Sequence, residues 1–169
     1  TAGFNPTTAL TIADAKFTTP FGIAADGNGW IWVSEAENSC RIRMITEAGN
    51  KVYTKSGPVF DPTDVSKQNW GYINGTGASA KYDNPNGIAF APDGTMYIAD
   101  YTNNVVRKAN GITIENGGQT ISTLAGDDPP GSAGDYVNGT GNAARFDGPI
   151  DLCTDASGNV YVVDQNNEC

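Results

Sequence analysis

One block of sequence occurs three times in this chain, and that recurrence limits the fold more than any other feature. Ala15-Lys16-Phe17 leads into Pro20-Phe21-Gly22-Ile23-Ala24. Ala80-Lys81-Tyr82 leads into Pro85-Asn86-Gly87-Ile88-Ala89, and Ala144-Arg145-Phe146 into Pro149-Ile150-Asp151-Leu152-Cys153. The three prolines stand 65 and 64 residues apart. Nine residues after each proline comes a glycine: Gly29, Gly94 and Gly158. Each glycine closes a turn rich in Asp, Asn, Gly or Pro, and an alternating apolar run follows it. An acid ends each run (Glu35, Asp100, Asp164), and an asparagine follows three residues later (Asn38, Asn103, Asn167). Chance does not preserve spacing and chemistry together over three units.

The unit reads as four short strands with polar turns between them. In the first unit these are Gly22 to Ala25, Trp30 to Ser34, Arg41 to Ile45 and Lys51 to Lys55. In the second they are Gly87 to Phe90, Met96 to Ala99, Val105 to Lys108 and Thr120 to Leu124. Good helix formers at helical period are missing from almost every stretch. The fold class is therefore all-β. Four antiparallel strands per unit make one blade of a β-propeller, and the meander favours the radial arrangement over a solenoid. Residues 1–169 form one propeller segment, with units beginning near 15, 80 and 144. That amounts to about two and a half blades.

At this point the pattern Pro-x-Gly-Ile-Ala, then Asp-Gly or Ser-Gly-Asn, then Tyr-Ile-Ala-Asp, then Asn-Asn-x-x-Arg resembles the NHL repeat. Thr123 to Gly126, Asn138 to Gly141 and Ala144 to Phe146 resemble the long-loop variant found in bacterial and algal surface proteins. The resemblance covers the chain from about Ala15. It implies a propeller and leaves the activity open, because propellers host many functions.

The family's rings close with about six blades, which removes exposed sheet edges. Here the third unit stops at Cys169, level by count with Cys40, before its third strand. The segment Leu10 to Ala13 reads as an outer strand without a blade of its own. Two expectations follow. Either the sequence is part of a longer protein, or the missing strands come from another copy, in a closed dimeric ring or an open filament.

Bulk properties remove several functions. The formal net charge is −9 and only ten Lys and Arg are scattered along the chain, which excludes a nucleic-acid surface. No apolar run approaches the length of a membrane span. Without histidine, Ser-His-Asp and Cys-His catalysis are excluded, as is the His-bound metal of amidating-lyase propellers. Cys40, Cys153 and Cys169 match no zinc spacing, and allow at most one internal disulfide or an interchain bond.

Asp100 with Asn103, and Asp164 with Asn167, offer oxygen ligands to a cation such as Ca2+. Their recurrence in every unit favours the other reading, in which they bond the turn backbone and pair with Arg43, Arg107 or an equivalent. Asn74-Gly75-Thr76 and Asn138-Gly139-Thr140 fit the N-glycosylation pattern, though Asn-Gly is also a turn dipeptide. The long loops Ser56 to Ala80 and Gly126 to Ala144 are candidate binding elements, and Phe60 and Trp70 are their contact anchors. Asp151 stands where the other units have Gly22 and Gly87. It is the lone acid that a metal-dependent lactonase or hydrolase of similar fold would need on its axis.

The sequence therefore predicts a non-catalytic, extracellular structural or interaction protein. Its expected partners are further copies of itself, proteins or glycans. A fragment of a lactonase-like enzyme is the alternative.

Overall fold

The computed structural model describes residues 10–46, 50–58, 69–111, 119–127 and 135–169, and its regular structure is almost entirely strand. Blade one holds β1 (Leu10–Thr11), β2 (Pro20–Ala25), β3 (Ile31–Glu35), β4 (Arg41–Thr46) and β5 (Lys51–Ser56), in the order β1-β5-β4-β3-β2. Blade two holds β6 (Gly75–Thr76), β7 (Pro85–Phe90), β8 (Met96–Asp100), β9 (Val105–Asn110) and β10 (Thr120–Gly126), in the order β6-β10-β9-β8-β7. Blade three contains β11 (Pro149–Thr154) paired with β12 (Val160–Asp164).

The eight strands read from the sequence in the first two units all form. The blade differs from expectation in having a fifth strand. β1 pairs with β5 through Leu10 and Val52, and β6 pairs with β10 through Thr76 and Thr120. In both blades this outer strand comes from the segment before the blade, so each unit borrows its rim from upstream chain. The orphan Leu10 segment is the rim of blade one.

The turns explain the glycines. Gly29, Gly94 and Gly158 have φ of 81°, 82° and 83°, a conformation that side chains rarely adopt, and a Cβ there would touch nothing. Backbone freedom is what these positions require. Gly22 and Gly87 serve a different need. A Cβ on Gly22 would overlap the Asn86 carbonyl oxygen, and one on Gly87 would lie 2.7 Å from the Cα of Asp151. The innermost strands β2, β7 and β11 run so close together that only glycine fits between them. Ser34 Oγ ties the first pair, donating to Asn86 O at 2.6 Å and accepting from Gly22 N at 2.8 Å. Thr154 Oγ1 ties the second by donating to Phe90 O at 2.7 Å.

Apolar side chains fill the two spaces between blades. Trp32, Ile42 and Met44 of blade one meet Tyr82, Ile88, Met96 and Ile98 of blade two, and the Trp32 and Phe90 rings lie 5.7 Å apart. Tyr97, Ala99 and Val106 of blade two meet Leu152, Val160 and Val162 of blade three. Each fully buried large side chain in these layers contributes about 1.5–3 kcal/mol. The alternation within each strand sends one set of side chains to each neighbouring blade.

Candidate functional site

The acid ending the second strand of each unit sits at the centre of a cross-link. In blade two, the Asp100 carboxylate accepts from Asp83 N at 2.8 Å, Asn103 Nδ2 at 2.9 Å and Arg107 Nη1 at 2.7 Å. Burial pushes the Asp100 carboxyl up to about 6, against the opposing pull of the Arg107 guanidinium and the Asn103 amide. Arg107 is itself fully buried. Its guanidinium also donates to the carbonyls of Ile73 and Lys81 and to Asn74 Oδ1, and it lies over the Tyr72 and Tyr82 rings. One cation thus pins the inserted loop to the blade. Asn103 Nδ2 donates to Gly71 O as well, adding a second pin.

Asp164 repeats the arrangement in blade three. It accepts from Asp147 N at 2.8 Å and Asn167 Nδ2 at 2.6 Å, and Asn167 Nδ2 also donates to Asp135 O. In blade one the longer Glu35 reaches Thr18 N, Arg41 Nε at 2.6 Å and Arg43 Nη1 at 3.0 Å. Asn38 takes a separate role there, its carbonyl accepting from Asn69 Nδ2. The residues weighed as calcium ligands (Asp100, Asn103, Asp164 and Asn167) are thus bonded within their own turns. Among the described residues, no three acidic or cysteine side chains converge on a point.

A cleft of about 930 Å3 crosses all three blades at their inner hairpin turns, with Asp26, Asn28, Asp93, Asn110 and Asp155 on its walls. Sequence reading passed over it, although the Asp-Gly and Ser-Gly turns that form it were visible. Each carboxylate here is bonded to its own turn. Asp26 accepts from Asn28 N, Trp30 N and Trp32 Nε1; Asp155 accepts from Ser157 N, Asn159 N, Asn159 Nδ2 and Tyr161 OH. Hydrogen bonds from Thr95 and Asn159 hold Asp93 and Asp155 below the usual carboxylate range. The cleft is an open, polar, negatively charged surface.

Asn74 and Asn138 are exposed, each just ahead of a single 3-10 turn (Gly77–Ser79 and Gly141–Ala143). The Asn74 carbonyl faces Arg107, so that sequon is joined to the cross-link. Trp70 is exposed, whereas Phe60 lies outside the described residues. Asp151 stands on the inner strand of blade three, exposed, and its Oδ1 accepts from Leu152 N. Cys40, Cys153 and Cys169 are all free thiols. Burial pushes the Cys40 thiol up to about 12.

The matching of Cys169 with Cys40 by count does not survive the pairing. Cys169 exchanges main-chain bonds with Asp164, as Val105 pairs with Asp100 and Arg41 with Glu35. Blade one has one more residue in this turn. Cys40 is the residue just before the ladder, at φ 41°.

No family model matches this sequence. It is 26% identical over 136 residues to the chloroplastic protein Suppressor of Quenching 1 of Arabidopsis thaliana, a match that covers 80% of this chain and 12% of that protein. Among solved structures, an auxiliary nutrient binding protein of Bacteroides ovatus is 20% identical with a TM-score of 0.66, covering 92% of this chain and 37% of that one. A gluconolactonase of Xanthomonas campestris is 14% identical with a TM-score of 0.55, covering 89% of this chain and 42% of that one. The chain thus spans under half the length of each. At these identities the likeness shows the fold alone, which is a run of β-propeller blades.

Proposed function

We propose that this chain is a non-catalytic, extracellular structural and interaction scaffold whose blades associate head to tail with further copies and with protein or glycan partners. One observation carries this reading. The two outward blade faces present, exposed, the same residues that the inner faces bury. Ile23 on blade one is 70% exposed, whereas its counterpart Ile88 packs against blade one at 6%. Tyr161 on blade three is 56% exposed, whereas its counterpart Tyr97 packs against blade three at 8%. The face of blade one is therefore of the kind that the face of blade three receives. Two different, complementary faces make a heterologous contact, which generates rings or filaments. The nutrient-binding protein of similar fold supports a binding role for such blades. The polar cleft offers hydroxyl-bearing ligands a surface, and Asn74 and Asn138, in the inserted loops away from it, are the chain's proposed glycan acceptors.

Sedimentation velocity tests the association. Wild type is expected to self-associate at micromolar concentration, and Ile23→Lys and Tyr161→Lys each to abolish it. Mixing the two variants should restore discrete dimers, since each retains one good face. A wild-type chain that stays monomeric at all concentrations would sink the reading. A second reading, a lactonase-like enzyme, draws on Asp151, an inner-strand acid present in one blade only. Lactone turnover that disappears in Asp151→Asn would support it.

A further inference from the structure

A second pocket, of about 340 Å3, lies at the end of the inner strands opposite the acidic cleft, and all three blades contribute to its walls. Phe21, Asn86 and Ile150 line it, each the residue after the repeated proline. Ala36, Tyr101 and Gln165 line it too, each the residue after the repeated acid. These positions invert the rest of the repeat. Prolines, turn glycines and acids recur in every unit because they build the blade. The pocket positions hold equivalent places and carry a different side chain in each unit, so no shared packing role fixes them.

Two local features prepare this pocket for a ligand. Asn86 is only 5% exposed and its carbonyl is held by Ser34 Oγ, yet its side-chain amide bonds no other group among the described residues. A buried amide without a partner is costly, and one that lines a pocket is poised for a ligand. The second feature is Glu37, which is held from two sides. Its N–H donates to Asn84 Oδ1 at 2.7 Å, and one carboxylate oxygen accepts from Thr19 Oγ1 at 3.0 Å. Glu37, Asn84 and Thr19 all line the pocket, and all stand in the left-handed region, at φ of 52°, 55° and 48°. Side chains rarely adopt that conformation, and for the β-branched Thr19 it is strained.

The lining selects the charge of the ligand. Glu37 is its one carboxylate, and among the described residues no lysine or arginine belongs to it. Phe21 and Tyr101 add aromatic rings, whose faces attract cations. A hard metal ion takes about six oxygen ligands or more, which this mixed lining does not gather. One carboxylate and two rings suit an organic cation, and the volume suits a small molecule.

We propose that this pocket binds a small organic ammonium ion. Its charged head is held by the Phe21 and Tyr101 rings and the Glu37 carboxylate, and a hydroxyl or carbonyl on its tail bonds the Asn86 amide. The site uses neither Ile23 nor Tyr161, so it stands apart from the association of blade faces.

Choline chloride is the probe, titrated into isotopically labelled protein and followed by NMR. Saturable shifts are expected at the Asn86 side-chain amide and at the Tyr101 and Gln165 N–H groups. The uncharged carbon isostere of choline, with a tert-butyl group in place of the trimethylammonium, should bind at least about tenfold more weakly. Glu37→Gln should weaken choline about threefold or more, with little change for the isostere. Phe21→Leu, on another wall, should weaken choline to a similar extent, and it carries the comparison should Glu37→Gln disturb its turn. Equal affinity for choline and its isostere, shifts confined to the turns of Asp26, Asp93 and Asp155, or no saturable binding would overturn the proposal. Tyr161→Lys should bind choline like wild type, so failure of the association reading remains distinguishable.

Discussion

Blades one and two occupy the same place in the repeat and neutralise their buried acid differently. Blade two uses the short Asp100 and a single cation, Arg107, with the Asn103 amide completing the shell. Blade one uses the longer Glu35 and two cations, Arg41 and Arg43, and its turn is one residue longer, with Cys40 just ahead of the ladder. Arg41 replaces Val105 at the ladder opening, so one position supplies either a cation or an apolar side chain. The difference shows what the repeat preserves: a satisfied buried carboxylate, reached by more than one set of partners. Blade one has redundancy, and blade two has a single point of failure.

The largest expected effect breaks that single point. Arg107→Met leaves Asp100 buried without a cation and should cost about 3–5 kcal/mol in urea unfolding, the range for removing one partner of a buried ion pair. Arg41→Met leaves Glu35 paired with Arg43 and should cost about 1–2 kcal/mol. Equal costs would remove the contrast between the blades. Next comes the inner-strand contact between them. Gly22→Ala forces a methyl group against the Asn86 backbone and should cost about 1–3 kcal/mol by the same measurement.

A pH effect follows. The Asp100 carboxyl is raised to about 6, above its unfolded value. Its contribution to stability is therefore complete below the unfolded value and is lost as pH rises through about 6. Carbon-detected NMR should show Asp100 titrating near pH 6, and a normal midpoint would contradict the burial assigned to it. The smallest effect leaves the fold unchanged. Cys153 and Cys169, both exposed, should react with a maleimide well before Cys40, whose buried thiol is pushed up to about 12. Peptide mapping of the labelled protein gives the order.

Much of the fold was legible because the repeat is written in the residues that packing cannot change. The prolines, the turn glycines and the acids recur at fixed offsets, and the strands lie between them. The rim strand was illegible in Gly75–Thr76, where two residues pair with β10 and carry no apolar alternation. The mismatch of Cys40 with Cys169 was hidden for a related reason. A one-residue insertion in a turn changes which residues face each other and leaves the count from the preceding glycine intact. Of the site, the pairing of the acids with Arg43 and Arg107 was open to sequence reasoning. The stacking of Arg107 between Tyr72 and Tyr82 was not, since 35 residues separate the first ring from the cation.

Asp151 has a geometric consequence. Between the described blades, glycine lets neighbouring inner strands nearly touch, and this narrow end sets the wedge angle at which one blade leans on the next. In blade three that position is Asp151, and its Oδ1 and Cα lie against Gly87 of blade two. A side chain on Gly87 would have no room beside them, so this gap closes only because one of the two facing positions is bare backbone.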